Sequence, residues 1–287
     1  DHHPYLQLIV SGSSSFDIKS KFADSLVGRT VNFEIFPLSF AEFLRFKKTN
    51  ISLKDRALAL YREFVNFGGY PKVVLEKSAE RKEKYLQQII DTYIRKDISD
   101  LAKIKDIQKF NDLLKVLASQ SGQLLNVSQL ANIVGIAQPT IENYLFILEN
   151  TYILKLIPPY SSSAKVEVVK SPKIFFYDTG LLQMLWLKTL STGGIAGNVL
   201  ETSIFGELVK KYGRQNINFW RNKSDNEIDF ILQRKNDILP IEVKSNFNSF
   251  HQKSLDAFCQ KYRVKDYRVV ALDGPKTSKK FIYPWEI

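Results

Sequence analysis

Two neighbouring runs near the C-terminus constrain this 287-residue chain more than any other feature. The first is Glu227-Ile228-Asp229-Phe230-Ile231-Leu232, and the second is Ile238-Leu239-Pro240-Ile241-Glu242-Val243-Lys244. Side chains on a strand alternate between its two faces. In the second run Leu239, Ile241 and Val243 therefore share an apolar face, while Pro240, Glu242 and Lys244 share the other. In the first run Ile228, Phe230 and Leu232 form the apolar face, and Asp229 lies opposite. A short turn around Lys235-Asn236-Asp237 joins the two, which predicts a hairpin. Such pairing brings Asp229 close to Glu242, with Lys244 pointing the same way as Glu242.

Those residue types suit one kind of chemistry. Carboxylates bind a hard divalent cation such as Mg²⁺ through oxygen. The cation acidifies a bound water and offsets charge on a phosphate under attack. A lysine beside it orients that water or stabilises the transition state. Glu201, opening a helix ahead of the hairpin, would add a further ligand or a contact to metal-bound water. The predicted catalytic set is therefore Asp229, Glu242, Lys244 and Glu201, with Asp229, Glu242 and Glu201 as metal ligands. Glu227 replaces Asp229 only if the register slips by two residues. The order resembles the PD-(D/E)xK nuclease superfamily: a helix Glu, then Asp, then Glu-x-Lys across a hairpin. The plainer alternative is a solvated hairpin whose charges face water.

The sequence before the hairpin divides into further parts. Residues 5–12 and Thr30 to Phe36 read as strands, the second stopped by Pro37. From Leu38 to Lys109 the pattern is helical and charged, broken at Phe67-Gly68-Gly69-Tyr70-Pro71, where two glycines and a proline force a turn. From about Lys165 onwards strands (173–177, 216–221, 227–233, 238–244, 267–272) alternate with helices (178–190, 199–212, 250–261), which argues for an α/β unit with a mixed sheet.

Between these parts, helices are predicted at 108–120, 127–134 and 138–150. A helix-turn-helix needs a small residue where its helices meet and a residue tolerant of positive φ four positions later. Ala131 and Gly135 supply that pair, and Leu130, Val134, Ile136, Ile141 and Tyr144 occupy the inward positions. Thr151 to Ile157 and Lys173 to Tyr177 are suited to the hairpin wing of a winged helix. On such a fold Gln138, Thr140 and Asn143 would face a DNA groove. Packing or protein contact is the alternative use of the same unit, and Glu142 sits awkwardly beside phosphates.

Composition narrows the classes. A formal net charge of +11 suits polyanionic partners such as DNA. No apolar run approaches the ~18 residues of a membrane helix. The single cysteine, Cys259, excludes an internal disulfide and a cysteine-based metal cluster, which fits a reducing cytoplasm. His2, His3 and His251 have no zinc-site spacing, and Gly-x-Ser-x-Gly does not occur. The chain does not begin with Met, so a missing N-terminal part is expected.

Taken together, the chain resembles an AAA-type ATP-binding protein carrying the C-terminal domain-of-unknown-function 4143. The resemblance rests on Val10-Ser11-Gly12-Ser13-Ser14, Val27-Gly28-Arg29, Phe36-Pro37-Leu38-Ser39-Phe40-Ala41-Glu42-Phe43 and Gly68-Gly69-Tyr70-Pro71. Further along it rests on Ile94-Arg95-Lys96-Asp97-Ile98, Pro172-Lys173-Ile174-Phe175, Tyr177-Asp178-Thr179-Gly180-Leu181, Trp220-Arg221, Glu227-Ile228-Asp229 and Ile241-Glu242-Val243-Lys244. It implies a multi-domain α/β chain. Residues 1–48 would be the remnant of an ATPase core and 49–106 a helical lid or linker. Residues 107–165 would be a winged helix and 166–287 a restriction-nuclease-like domain.

The resemblance also implies an ATP site in a missing N-terminal part, because Gly-x-x-x-x-Gly-Lys-Ser/Thr is absent here. It places Ser11 where AAA proteins carry a polar γ-phosphate sensor, and makes Arg29 a second sensor or an arginine finger. ATP state would then reposition the winged helix and the nuclease-like domain on nucleic acid. Two other readings stand beside this one: a non-catalytic DNA- or protein-binding module switched by ATP, and a metal-dependent nuclease active without ATP. Oligomerisation stays open under all three.

Overall fold

Local capping chemistry sets where the helices begin. Ser39 Oγ accepts the Glu42 N–H (3.3 Å), and the Ser39 N–H donates back to the Glu42 carboxylate (2.8 Å). This reciprocal cap opens α1, Phe40–Phe46. Helix α2 spans Lys54–Phe67, α3 spans Pro71–Leu75 with proline in its first turn, and α4 spans Ala79–Ile89. The chain then widens into π-helical turns over Ile90–Ile98. The structure is a computed structural model that describes residues 9–12, 31–51, 53–98, 104–161, 171–187, 194–222, 224 and 226–287, with 95–97 as backbone alone.

The middle of the chain follows its sequence pattern closely. Helices α5 (Ile107–Ser119), α6 (Val127–Val134) and α7 (Gln138–Asn150) lie close to the expected bounds. Gly135 ends α6 at φ 70° and ψ 41°, the left-handed conformation that a residue without Cβ adopts at least cost. Leu130, Ala131, Val134, Ile141 and Tyr144 are buried, and Ile136 packs at the edge of the same core. Strands β1 (Leu154–Ile157) and β2 (Lys173–Phe176) pair antiparallel, with Leu154 opposite Phe176. Leu124 bridges to Lys173 on the other edge of β2.

After α8 (Thr179–Leu187) and α9 (Gly197–Tyr212) comes a five-stranded sheet in the order β3-β4-β5-β6-β7. Its strands are Ile217–Arg221, Glu227–Gln233, Ile238–Asn246, Arg268–Asp273 and Phe281–Ile282. The first three are antiparallel and the last three parallel, so the sheet is mixed as expected. Helix α10, Lys253–Tyr262, makes the crossover between the parallel strands β5 and β6.

Two motifs of unknown purpose explain each other once folded. The buried Asp178 carboxylate accepts the Gly69 N–H (2.7 Å) and the Leu181 N–H (2.8 Å). A Cβ on Gly68 would meet Asp178 Oδ1 at 2.1 Å, and one on Gly180 would meet the Phe67 carbonyl oxygen at 2.3 Å. Gly-Gly-Tyr-Pro and Asp-Thr-Gly-Leu thus form a backbone knot between α2 and α8. Their residue types answer to close approach rather than to chemistry.

One buried cluster runs from Phe40 and Phe43 through Leu113, Leu130, Ile141 and Phe175 to Phe205, Phe230, Ile241 and Leu272. It crosses the boundaries expected at 48/49, 106/107 and 165/166. A smaller cluster of Trp220, Ile228, Ile231, Leu255, Phe258 and Val269 fills the other face of the sheet beneath α10.

The N-terminal expectations fare differently. Residues 31–36 form no strand. Val31, Phe33 and Ile35 are 78%, 85% and 93% exposed, and among the described residues no strand pairs with them. Residues 9–12 are likewise not a strand, and 5–8 lie outside the described residues. Among the described residues no helix is long and apolar enough to cross a membrane.

Candidate active site

The predicted hairpin is present, with one departure that matters. Strands β4 and β5 pair with Phe230 opposite Ile241, Ile231 opposite Pro240 and Leu232 opposite Leu239. On β5 the period of two holds: Leu239, Ile241 and Val243 all enter the main core. On β4 it breaks. Ile228 joins the smaller cluster, whereas Phe230 and Leu232 join the main one.

The β3–β4 register explains the break. Asn218 faces Ile231 and Trp220 faces Ile228, so Asp229 and Phe230 together oppose Phe219 alone. That is a β-bulge on β4, a device that re-aims a side chain and loosens the local ladder. Asp229 sits in it.

The re-aimed carboxylate is buried and tied down. The Val243 N–H donates to Asp229 Oδ2 at 2.7 Å, just past the last β4–β5 pair. Asp229 and Glu242 are each 8% exposed, which overturns the picture of charges facing water. Lys244 Nζ donates to Glu242 Oε1 at 2.6 Å and to the Val243 carbonyl at 3.1 Å. Glu242 Oε2 is buried with no hydrogen-bond partner. A buried carboxylate oxygen left in that state is costly unless something else meets it.

Glu201 approaches from α9. It lies four residues before Phe205 and so shares a helix face with it. Phe205 stacks on Phe175 of β2 at 5.0 Å, and Phe175 packs against Phe230 at 5.2 Å. This aromatic triangle holds α9, β2 and the bulge together. Beside Glu201 the chain turns through Gly122 at φ 85°, where a Cβ would lie 3.1 Å from Glu201 Oε2.

The electrostatics are those of crowded acids. Burial, and then the charge of Asp229, push the Glu201 carboxyl up to about 8 against the pull of Lys173 and Lys244. The same two causes push Glu242 up to about 7, opposed by Lys244. Burial raises Asp229, while Lys244, Lys173 and the Val243 amide oppose it. Burial alone would lower the Lys244 ammonium. Asp229, Glu242 and Glu201 outweigh that and hold it above its ordinary range.

The donor set suits a hard divalent cation: carboxylate oxygens, one of them unpartnered. Among the described residues, however, no three or more His, Cys, Asp or Glu side chains converge as a complete ligand set. Asp229 and Glu242 are therefore the pair that could hold a cation, and Glu201 does not close a three-carboxylate cluster with them. Sequence reasoning missed Lys173. It is 3% exposed at the start of β2 and pairs with Glu227. The signal was a lysine heading an otherwise apolar strand.

Gln138, Thr140 and Asn143 belong to α7, outside the elements that carry this cluster. Gln138 and Asn143 are exposed on α7, and Thr140 is half-buried. Glu142, the awkward acid, is exposed beside them. From residue 116 to 154 the chain contains no Lys or Arg, although it holds 41 in all. Ser11 is exposed, and Arg29 lies outside the described residues.

Comparison with known proteins gives three adjoining matches. Residues 1–44 match the family model of an AAA domain, residues 58–192 that of a domain of unknown function (DUF8612), and residues 196–285 that of a domain of unknown function (DUF4143). The chain is thus similar to AAA-type proteins at one end and to DUF4143 at the other. An uncharacterized protein of Haemophilus influenzae is 31% identical over 242 residues, covering 82% of this chain and 58% of the relative. Uncharacterized proteins of Methanocaldococcus jannaschii and Mycobacterium tuberculosis are 27% and 24% identical, covering 80% and 83% of this chain and 53% and 52% of themselves. The chain spans about half the length of the curated relatives it matches. No solved structure matches it.

Proposed function

We propose that this chain belongs to an ATP-binding, AAA-type protein whose C-terminal sheet carries a PD-(D/E)xK nuclease-like site acting on nucleic acid. One observation carries the reading: Asp229 and Glu242 are buried together beside Lys244, with Glu242 Oε2 unpartnered, where the β4–β5 hairpin opens. A fold gains nothing in stability from burying unmatched acids, so such clusters mark functional sites.

Asp229 and Glu242 would hold Mg²⁺ or Mn²⁺, which acidifies water and offsets phosphate charge when bound. Lys244, released from Glu242 as substrate phosphate arrives, would stabilise charge building on the phosphate oxygens. Glu201 would accept the proton of an attacking water once a bound cation offsets the crowding of acids that holds its proton on in the empty site.

The winged-helix reading of residues 107–165 draws support from the left-handed Gly135, the buried inward positions and the β1–β2 hairpin. Gln138 and Asn143 are the exposed pair that would read base edges if DNA lies on α7. Phosphate contacts dominate affinity for DNA, and the stretch without Lys or Arg leaves them to other surfaces. The ATP reading draws support from the AAA match over residues 1–44. Since this chain contains no phosphate-cradling Gly-Lys-Ser/Thr loop, it is expected not to turn over ATP by itself; turnover at the rate of an intact ATPase would refute that.

The experiment is to incubate the protein with DNA and RNA, with Mg²⁺ or Mn²⁺, beside Asp229→Ala and Lys244→Ala variants. Metal-dependent cleavage by the wild type, reduced about 100-fold or more in both variants, supports the site. Absence of cleavage by the wild type, or equal cleavage by the variants, rejects it. A second reading, a non-catalytic binding module switched by ATP, is favoured by one specific feature. Lys244 is already engaged by Glu242, and the acids do not form a complete ligand set.

A further inference from the structure

We infer that Lys173 is a positioning residue of the carboxylate site, so that the site is a joint product of the middle region and the C-terminal sheet. The inference rests on the nuclease-like reading above.

Lys173 is a buried ammonium, and a buried ammonium is costly unless a carboxylate meets it. It meets Glu227, two residues before Asp229 on β4. It also lies over the Phe219 ring, 5.4 Å from its centroid. Phe219 is the one β3 residue that opposes the bulged pair Asp229 and Phe230. Lys173 therefore touches the strand that carries the bulge and the residue across from it. Alternation along β2 puts Phe175 on the face of Lys173, and Phe175 packs against Phe230, the other bulged residue.

The support behind Lys173 comes from the middle region as well. The segment around Gly122 is clamped to β2 by the Gly122 N–H to the Ile174 carbonyl (2.7 Å) and the Leu125 N–H to the Pro172 carbonyl (2.7 Å). Ser121 and Thr202 hydroxyls bond at 2.8 Å, joining this segment to α9 beside Glu201. Lys173 falls within the match to DUF8612 (58–192), whereas Glu201, Asp229, Glu242 and Lys244 fall within the match to DUF4143 (196–285). The boundary between the matched regions thus runs through the site.

The test measures Mn²⁺ binding to the whole chain by calorimetry, with Mn²⁺ alone as the probe. By charge alone, Lys173→Met leaves the site more negative and should tighten cation binding. If Lys173 instead positions the bulge, binding weakens by about tenfold or more, as for other outer supports of metal sites. Lys173→Arg, which keeps the cation, should recover most of it. Lys173→Met combined with Glu227→Gln removes both charges of the pair, so it serves if the single variant does not fold, and the same weakening is expected. Unchanged or tighter binding in the folded variants overturns the inference and leaves the nuclease-like reading standing. Absence of Mn²⁺ binding by the wild type overturns both.

Discussion

The helix-turn-helix region and the bulged hairpin make an instructive pair. In the first, Leu130, Ala131, Val134, Ile141 and Tyr144 are buried as expected and Gly135 is left-handed, while Ile136 lies only at the core edge. Yet residues 116 to 154 contain no Lys or Arg, and the ammonium placed at the turn, that of Lys109, is bonded to the Gly135 carbonyl (2.8 Å). In the second, the strand departs from its period at Asp229, beside a buried Glu242 with an unpartnered oxygen and near two lysines. A local pattern that is fully satisfied reports packing. A pattern that breaks, at a cost the fold must absorb, points to a site.

The contrast can be broken or sharpened by experiment. The largest expected effect is at the hairpin, where Asp229→Ala should cut metal-dependent cleavage about 100-fold or more without lowering the content of secondary structure seen by circular dichroism. At the turn, Gly135→Ala forces a Cβ into the left-handed region and should cost about 1–2 kcal/mol in urea unfolding, while leaving cleavage untouched. If cleavage falls as well, the two regions are coupled more tightly than packing alone implies.

The pH dependence of stability sharpens the hairpin side. Glu201 and Glu242 hold protons in the folded chain up to about 8 and about 7, against an ordinary value of 4.5. The folded state therefore binds more protons than the unfolded one between those limits. These two groups contribute stability that is full below about 4.5 and declines as pH rises toward 7 to 8. Thermal unfolding of the metal-free protein should show that decline, and Glu242→Gln should reduce it. A slope of the opposite sign in the difference between the two proteins would refute the burial assigned to Glu242. The smallest effect is expected on α7, where Gln138→Ala with Asn143→Ala should weaken DNA binding by less than about threefold in fluorescence anisotropy, because phosphate contacts carry most of the affinity. A tenfold loss would make α7 a reading helix after all.

Much of this was legible in the chain before folding, and the reasons are local. In the fold Asn126 caps α6 through its own side chain and α7 carries a proline in its first turn, local features that fix where both expected helices begin. The Asp229–Glu242–Lys244 grouping followed from alternation on β5, which holds. What alternation could not give is the bulge, because inserting one residue depends on the partner strand and its Phe219. Nor could it give Lys173, whose partner lies 54 positions away at Glu227 across a tertiary contact. Residues 31–36 of the expected strand Thr30 to Phe36 form none among the described residues, since strand propensity is realised only when a neighbouring strand pairs with it.

The continuous core has a mechanical consequence. A lever can transmit force only as far as the joint where it bends, and among the described residues α5–α7 and the sheet share one set of buried side chains. Regions joined by an extensive apolar interior move together rather than swivel. A displacement imposed on α1 would therefore reach the described parts of both regions through packed side chains rather than through a free hinge. Asp229 and Glu242 on the sheet and Gly135 at the α6–α7 turn would shift together, with their spacing kept by the core between them.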